Sequence, residues 1–81
     1  MNKTLVFTTV SGRAFWKLPE PVQESVTRKL YLYGLTGEGD VKRMTGSDVV
    51  RMRNGDYRIV FAETTTTLTV LAVGHRREIY R

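Results

Sequence analysis

The sequence predicts an α+β domain in which two N-terminal antiparallel helices pack on a curved, mainly antiparallel sheet of four or five strands. Apolar residues recur at every fourth position in the first half of the chain, as one face of a helix requires. The second half holds short β-branched or aromatic runs separated by turn residues, which is typical of strands. With 81 residues, we expect one modest core and a single domain spanning residues 1–81.

A strand followed by a short helix is predicted at the start of the chain. Residues 4–8 are mostly β-branched or aromatic, which favours a strand. Val10, Ala14 and Leu18 are spaced by four, so we expect them to share the buried face of a helix. Pro19 disfavours the helical conformation at the residue before it, so this helix should end there.

A second helix is predicted to begin at Pro21, because proline suits the first turn of a helix. Its apolar stripe consists of Val22, Val26, Leu30, Leu32 and Tyr33. Gly34 is typical of a helix C-terminus, and the Gly-rich residues 35–40 are predicted to form a loop. The two helices, joined by so short a connection, form an antiparallel hairpin whose apolar face needs a sheet to cover it.

Four further strands are predicted, at residues 41–44, 49–53, 57–63 and 68–73. Between two of them, Asn54-Gly55 is a strong signal for a type I′ turn, whose two central residues both need positive φ. The threonine run at 64–67 is expected to form another hairpin connection.

The register of the hairpin decides which charged side chains meet. A loop of Asn54 and Gly55 places Arg51 opposite Arg58, whereas a loop one residue later places Arg53 opposite Arg58. In both registers the arginines lie on the face away from an apolar set, which consists of Val50, Met52, Tyr57, Ile59 and Phe61. Either the arginines splay apart and cover apolar surface, or paired guanidiniums form an anion site suited to phosphate.

The basic charge of the chain is concentrated in its second half. The net charge is +5; residues 1–41 carry five basic and four acidic groups, and residues 42–81 carry eight basic and four acidic groups. This asymmetry favours an anionic partner, of which nucleic acid is the commonest large one.

Several classes of site are excluded by composition. The absence of cysteine excludes disulfides and thiolate metal sites, and one histidine does not build a zinc site. We therefore expect no metal and no cofactor. No apolar run is long enough to span a bilayer and no signal peptide is visible, so we expect a cytoplasmic protein, cytosolic or on the nucleoid, with no membrane partner.

Ionisable side chains follow the last predicted strand. Residues 74–80 read Gly-His-Arg-Arg-Glu-Ile-Tyr and directly follow the apolar run at 68–73. Together with the hairpin segment at 49–61, they resemble the RelE/ParE toxin superfamily of bacterial and archaeal toxin–antitoxin systems. The resemblance spans nearly the whole chain and implies the same helices-on-sheet fold. It also implies a cognate antitoxin protein as partner.

The resemblance implies one of two activities. RelE-like members cleave mRNA in the ribosomal A site, whereas ParE-like members bind and poison DNA gyrase and cleave no RNA. We expect a ribosome-dependent endoribonuclease that inhibits translation, with the ribosome and mRNA as partners, because gyrase binding gives no reason to gather arginines and a tyrosine. Gyrase poisoning is the alternative, and an inactive homologue that only binds antitoxin is a third hypothesis.

The resemblance also assigns catalytic roles. Arg58 is expected to stabilise the phosphate, Arg76 to act as acid or charge stabiliser, and Tyr80 to act as base or stacking platform. RNA-cleaving members carry two lysines on the strand before the turn, and the corresponding positions here are Val49 and Arg51. Arg51 keeps the positive charge and is the fourth catalytic candidate, whereas Val49 cannot replace a lysine.

Further side chains are expected to contact RNA. These candidates are Lys42, Arg43, Arg53, His75, Arg77 and Arg81. Lys42 and Arg43 fit solvated surface charges equally well, and a lone histidine such as His75 is also typical of a polar strand end. We do not expect the C-terminal helix that some members of the superfamily carry.

Overall fold

Five strands and three helices follow one another along residues 3–79, the part of the chain that the structure, a computed structural model, describes. In chain order they are β1 (Thr4–Phe7), α1 (Thr9–Trp16), α2 (Glu20–Thr36), β2 (Val41–Arg43), β3 (Val49–Asn54), β4 (Tyr57–Glu63), β5 (Thr67–His75) and α3 (Arg76–Ile79). Along these residues, no helix has the length and apolar content needed to cross a bilayer.

The strands form one sheet in the order β1-β5-β4-β3-β2. β1 runs parallel to β5, and the other three neighbouring pairs are antiparallel. The ladder between β4 and β5 shifts register next to Phe61, so that Leu71 bulges out of β5. The predicted α+β class with a mainly antiparallel sheet is confirmed.

The core lies between the helices and one face of the sheet. From the helices it takes Phe15, Val26, Leu30 and Tyr33, and from the strands Val50, Met52, Ile59, Phe61, Leu68, Val70 and Val73. Four of the five apolar hairpin residues predicted to share a face are therefore buried. The fifth, Tyr57, is only partly buried, because it begins β4 at the rim of the sheet.

Thr8 caps the start of α1, and the residues of this helix that face the core differ from those predicted. The Thr8 hydroxyl oxygen accepts the backbone N–H of Ser11 at 3.1 Å, so residue 8 caps α1 and does not extend β1. The buried face then carries Ser11 and Phe15, and the prediction that Val10 is buried was wrong: it is 74% exposed. Ser11 tolerates burial because its hydroxyl donates to the Val70 carbonyl at 2.7 Å.

α2 continues through Gly34, which the sequence suggested as its end, and stops two residues later. Gly37 takes the left-handed conformation, with φ +76°, that terminates many helices. Gly34 is instead a close-packing position, since a Cβ there would lie 3.5 Å from Leu68 Cδ1. The stripe is also narrower than predicted, because Leu32 is 39% exposed while Tyr33 faces the core.

The end of the described chain continues beyond the predicted last strand. β5 extends two residues beyond the predicted end, through His75, and the helical turn α3 follows it. The backbone N–H of Arg76 donates to the Asp56 carbonyl at 2.7 Å. This bond ties the end of β5 to the hairpin turn, one residue beyond the last paired residue of the strand.

The hairpin turn lies one residue later than Asn54-Gly55. Asn54 pairs with Tyr57, so Gly55 and Asp56 form the loop and Arg53 lies opposite Arg58. Gly55 has φ +60°, and no non-glycine residue between 3 and 79 has positive φ. The type I′ prediction was therefore wrong, since this combination is typical of a type II′ turn with glycine first.

A contact with α2 explains why Asn54 remains in the strand. Its side-chain amide donates to the Ser25 hydroxyl at 3.0 Å. The bond anchors Asn54 to the second helix, and glycine supplies the positive φ at lower steric cost than asparagine.

Glu63 on β4 joins α2, β2 and the residue before β1 on the helix side of the sheet. Its carboxylate accepts hydrogen bonds from Lys3 Nζ at 2.6 Å and from the Tyr33 hydroxyl at 2.7 Å, and it also pairs with Arg43. Burial alone would raise the pKa of the Glu63 carboxyl, but the bonds from Lys3, Tyr33 and Arg43 outweigh it and hold the pKa below its ordinary value. Burial and the bond to this carboxylate raise the pKa of Tyr33.

We expect Glu63→Gln to unfold with a free energy about 1–2 kcal/mol lower than wild type at neutral pH, because three donors lose their anionic acceptor. A carboxyl with a lowered folded pKa stabilises above its unfolded pKa of about 4.3, and this contribution is lost as pH falls through the folded pKa. The difference between the two proteins should therefore shrink at about pH 2. Urea unfolding at both pH values measures it, with Glu38→Gln, in the exposed loop, as matched control; a difference independent of pH would contradict the network.

The conformation of the turn predicts opposite outcomes at two glycines. Gly55→Ala should lower the free energy of unfolding by about 1–2 kcal/mol, because φ +60° is strained for a residue with a Cβ. Gly74→Ala should be neutral or slightly stabilising, since the position lies in a strand and a Cβ there would meet no atom within 4 Å. Urea unfolding of both variants checks the pair, and equal losses would refute the assigned turn.

Candidate functional site

Arg53 and Arg58 occupy the centre of the outer face, which we define as the sheet face turned away from α1 and α2. They lie directly opposite each other on β3 and β4. Their neighbours Met52 and Ile59 are buried under the helices, so the alternation of a strand directs the two arginines outward. The paired arginines predicted from the sequence are thus present, in the second of the two possible registers.

Each guanidinium has its own oxygen partners, which offsets the repulsion between like charges placed across a sheet. Arg58 donates from one terminal nitrogen to the carbonyls of Gly55, at 2.7 Å, and Tyr57, at 2.9 Å. Arg53 donates through Nε to Asp40 Oδ2 at 2.7 Å. Arg58 is held over the turn as a partly buried cation, whereas Arg53 remains largely exposed.

Arg76 reaches the same turn from the end of β5. Besides its backbone bond to Asp56, its Nε lies 3.6 Å from Asp56 Oδ1, and both side chains are more than half exposed. We call Arg53, Arg58 and Arg76 the turn arginines, because each contacts or flanks the Gly55–Asp56 turn. An exposed ion pair at this distance contributes little stability, so Arg76 is free to exchange its partner for another anion.

Open space adjoins the turn arginines on β5. Gly74 lies directly opposite Arg58 on that strand, and a Cβ built there would meet no atom within 4 Å. A side chain at this position would project from the outer face on the strand next to Arg58. The glycine therefore leaves room for a ligand to approach Arg58.

A shallow groove of about 270 Å³ runs from Arg58 towards the sheet edge at β2. Its charged lining consists of Asp40, Lys42, Arg51, Arg53 and Arg58. Lys42 and Arg51 lie directly opposite each other on β2 and β3, so they continue the row of cations on the outer face. The groove thus presents four cations and one carboxylate, which is the charge pattern of a surface for phosphate.

Other predicted site residues lie elsewhere. His75 pairs with Tyr57 and, two residues from buried Val73, points to the helix side of the sheet. Arg43 also lies on the helix side, bound to Glu63. Arg77 is exposed on α3.

Two candidates, Tyr80 and Arg81, lie outside the described residues.

Asp40 and Asp56 are site residues that the sequence did not single out. Each pairs with one of the turn arginines. A carboxylate in the turn between two Arg-bearing strands is a signal that could have identified Asp56, whereas the pairing of Asp40 depends on how the loop after α2 folds back. Within residues 3–79, no three His, Asp or Glu side chains are placed to hold a metal ion.

The fold is similar to that of several solved toxin structures. The RelBE2 toxin–antitoxin complex of Mycobacterium tuberculosis contains a chain 26% identical to this one, with a TM-score of 0.73 over 94% of this chain and 100% of that chain. The archaeal RelE–RelB complex of Pyrococcus horikoshii gives 20% identity and a TM-score of 0.79 over 96% and 99%. A free mutant of E. coli RelE gives 21% identity and a TM-score of 0.79 over 93% and 84%.

Sequence comparison assigns the family. Among curated proteins, none matches this chain. The sequence pattern of the family described as "ParE toxin of type II toxin-antitoxin system, parDE" matches residues 18–80, which include α2, the whole hairpin and the turn arginines. The chain therefore belongs to the ParE toxin family of type II toxin–antitoxin systems, within the RelE/ParE superfamily.

Proposed function

We propose that this toxin is a ribosome-dependent endoribonuclease that cuts mRNA in the A site and thereby inhibits translation. The observation that carries the proposal is the set of turn arginines, with Arg53 opposite Arg58 and Arg76 tied to the same turn. Arg58, held by two backbone carbonyls opposite Gly74, and the exposed Arg76 suit a phosphodiester that must gain negative charge.

The proposed reaction uses the 2′-hydroxyl of the RNA as nucleophile. Its oxygen bonds to the adjacent phosphorus while the bond from phosphorus to the 5′-oxygen breaks, which leaves a 2′,3′-cyclic phosphate and a 5′-hydroxyl. One proton leaves the 2′-hydroxyl, another reaches the 5′-oxygen, and the phosphate is more negative in between. The reaction therefore needs a base, an acid and cations at the phosphate.

The chain offers a residue for each role. Arg58, oriented by the carbonyls of Gly55 and Tyr57, stabilises the phosphate, and Arg76 stabilises the developing charge or donates the second proton. Tyr80 takes the first proton or stacks on a base; as a base it needs nearby cations, because a free phenol has a pKa of about 10. Arg51 supplies positive charge at one of the two positions where RNA-cleaving members of the superfamily carry a lysine. Val49 occupies the other position, so this strand has one cation fewer than in those members.

Residues around this centre are proposed to hold the RNA. Lys42 and Arg53 line the groove on the outer face, and Arg77, Arg81 and His75 follow or end the last strand. Arg43 is engaged with Glu63, so a contact between Arg43 and RNA requires that this pair be shared or broken.

An open, exposed groove does not by itself hold a flexible RNA in the geometry for in-line attack. We propose that the ribosome supplies this positioning, which can be a large part of a rate enhancement. The toxin then acts in the cytoplasm, where ribosomes and messages are found.

A cognate antitoxin is proposed as the regulatory partner. The M. tuberculosis and P. horikoshii chains that share this fold come from toxin–antitoxin complexes. An antitoxin with an amphipathic, partly disordered segment would fold on the toxin and cover its basic or apolar surface.

Cleavage on initiated ribosomes carrying a defined message tests the proposal. Wild type should cut the A-site codon, and Arg58→Ala and Arg76→Ala should each lower the single-turnover rate about 100-fold, because each removes a donor to the developing charge. Tyr80→Phe should slow the cut as well, since it removes the ionisable hydroxyl.

Arg13→Ala is the matched control, since it removes an exposed cation of α1 with the same change in net charge. Wild-type protein that leaves the message intact, or turn-arginine variants as active as Arg13→Ala, would contradict the proposal.

Gyrase poisoning is the second candidate function, and the match to the ParE family favours it. A supercoiling assay with purified gyrase separates the two functions. Trapped or cleaved DNA complexes, formed equally well by wild type and Tyr80→Phe, would support a gyrase poison that uses the basic surface for binding only.

A further inference from the structure

A second concave surface lies on the helix side of the sheet, at the same end of the sheet as the turn arginines. It is a cleft of about 400 Å³ between the connection that joins α1 to α2 and the ends of β4 and β5. Its main lining residues are Lys17, Leu18, Pro19, Tyr57, His75 and Glu78. This volume lies within the range of small-ligand sites. Gly74 also lines the cleft, and of the lining residues only Gly74 and His75 have been given a role in RNA binding above.

The cleft combines an aromatic wall with polar groups of both signs. The rings of Tyr57 and His75 meet edge to face, with centroids 5.5 Å apart and planes at 78°. Leu18 and Pro19 supply apolar surface, and Lys17 and Glu78 place an ammonium and a carboxylate at the rim. Flat aromatic and apolar walls with a few polar groups are what an unpaired nucleobase requires.

A backbone hydrogen bond orients the imidazole of His75. His75 Nδ1 accepts the N–H of Arg77 at 3.2 Å. A nitrogen that accepts carries no proton, so the neutral ring has its hydrogen on Nε2 and can donate it to a ring nitrogen or carbonyl of a base.

The cleft is adjacent to the proposed site of cleavage. Tyr57 precedes Arg58 on β4, and His75 lies between Gly74 and Arg76 on β5. Because neighbouring strand residues point to opposite faces, the cleft and the turn arginines lie back to back at the same end of the sheet. An RNA strand that passes this end can hold a phosphate at Arg58 or Arg76 and place the next base in the cleft.

We propose that this cleft binds one unpaired base of the RNA next to the cut and sets the base preference of cleavage. The inference rests on the proposed endoribonuclease function and adds a specificity subsite to it. Tyr57 stacks on the base, His75 donates to it, and Glu78 accepts a hydrogen from an amino group of the base. The subsite therefore favours adenine, guanine or cytosine over uracil, which carries no amino group.

The test compares ribosome-bound messages that differ only in one base beside the cut. Wild type should discriminate among the four bases, and Tyr57→Leu should reduce the ratio of best to worst rate about tenfold, since stacking on an aromatic ring is lost. Tyr57→Phe should retain the ratio, because it keeps the ring. Glu78→Gln should change the order of preference, because an amide both accepts and donates.

Tyr31→Leu is the matched control, as it removes an exposed tyrosine of α2 that does not line the cleft. Thermal unfolding followed by circular dichroism shows whether Tyr57→Leu folds. If Tyr57→Leu does not fold, the base preference of Glu78→Gln still tests the subsite, because Glu78 is exposed and its replacement should not disturb the fold.

The possible failures are distinguishable. If wild type cuts none of the messages, the proposed function fails and this inference with it. If wild type cuts but Tyr57→Leu and Glu78→Gln keep its base preference, only the subsite is refuted. If these variants keep the preference but bind the cognate antitoxin more weakly, the cleft belongs to the antitoxin and the inference is overturned.

Discussion

The two-residue turn of Gly55 and Asp56 holds the candidate site together. The Gly55 carbonyl accepts a hydrogen bond from Arg58, the Asp56 carboxylate faces Arg76, and the Asp56 carbonyl accepts the bond that fixes the end of β5. Like charges across a strand pair are unfavourable, and this arrangement offsets the repulsion with local oxygen partners. The sheet thus presents several cations in fixed positions at the cost of only two acidic side chains, Asp40 and Asp56.

The register of the hairpin shows where sequence reasoning reaches its limit. The apolar alternation determined which face of the hairpin is buried, and Val50, Met52 and Phe61 lie as predicted. The position of the turn depends on a bond between Asn54 and Ser25, which are far apart in the sequence. A local turn signal contains no information about such a contact, so two registers fitted the sequence.

The helices show the same limit for a different reason. Spacing by four located both helices, but the rotation of α1 follows from the Thr8 cap and from the buried bond of Ser11 to Val70. A pattern of apolar residues does not reveal that a serine will face the core. Similarly, Gly34 signals a helix end in isolation, whereas its role here is close contact with Leu68 across the core.

Strand alternation predicted which face of the sheet each site residue occupies, but only for residues inside the predicted strands. Alternation placed Arg51, Arg53 and Arg58 on one face, but His75 could not be placed because the predicted last strand ended before it. Its position on the helix side separates it from the arginines and joins it to Tyr57. The Glu63 network lies on that side too, and Arg43 is the one candidate RNA contact among residues 3–79 that belongs to it.

The parallel pairing of β1 with β5 means that the described fold closes only once β5 has been synthesised. β1 has β5 as its neighbour, with Thr4 opposite Thr67, and the buried hydroxyl of Ser11 on α1 finds its acceptor on β5 as well. Closing so long a stretch of chain is entropically costly and cannot occur before β5 is available. The end of the outer face that carries Gly74 and Arg76 therefore forms only after β5 has been synthesised.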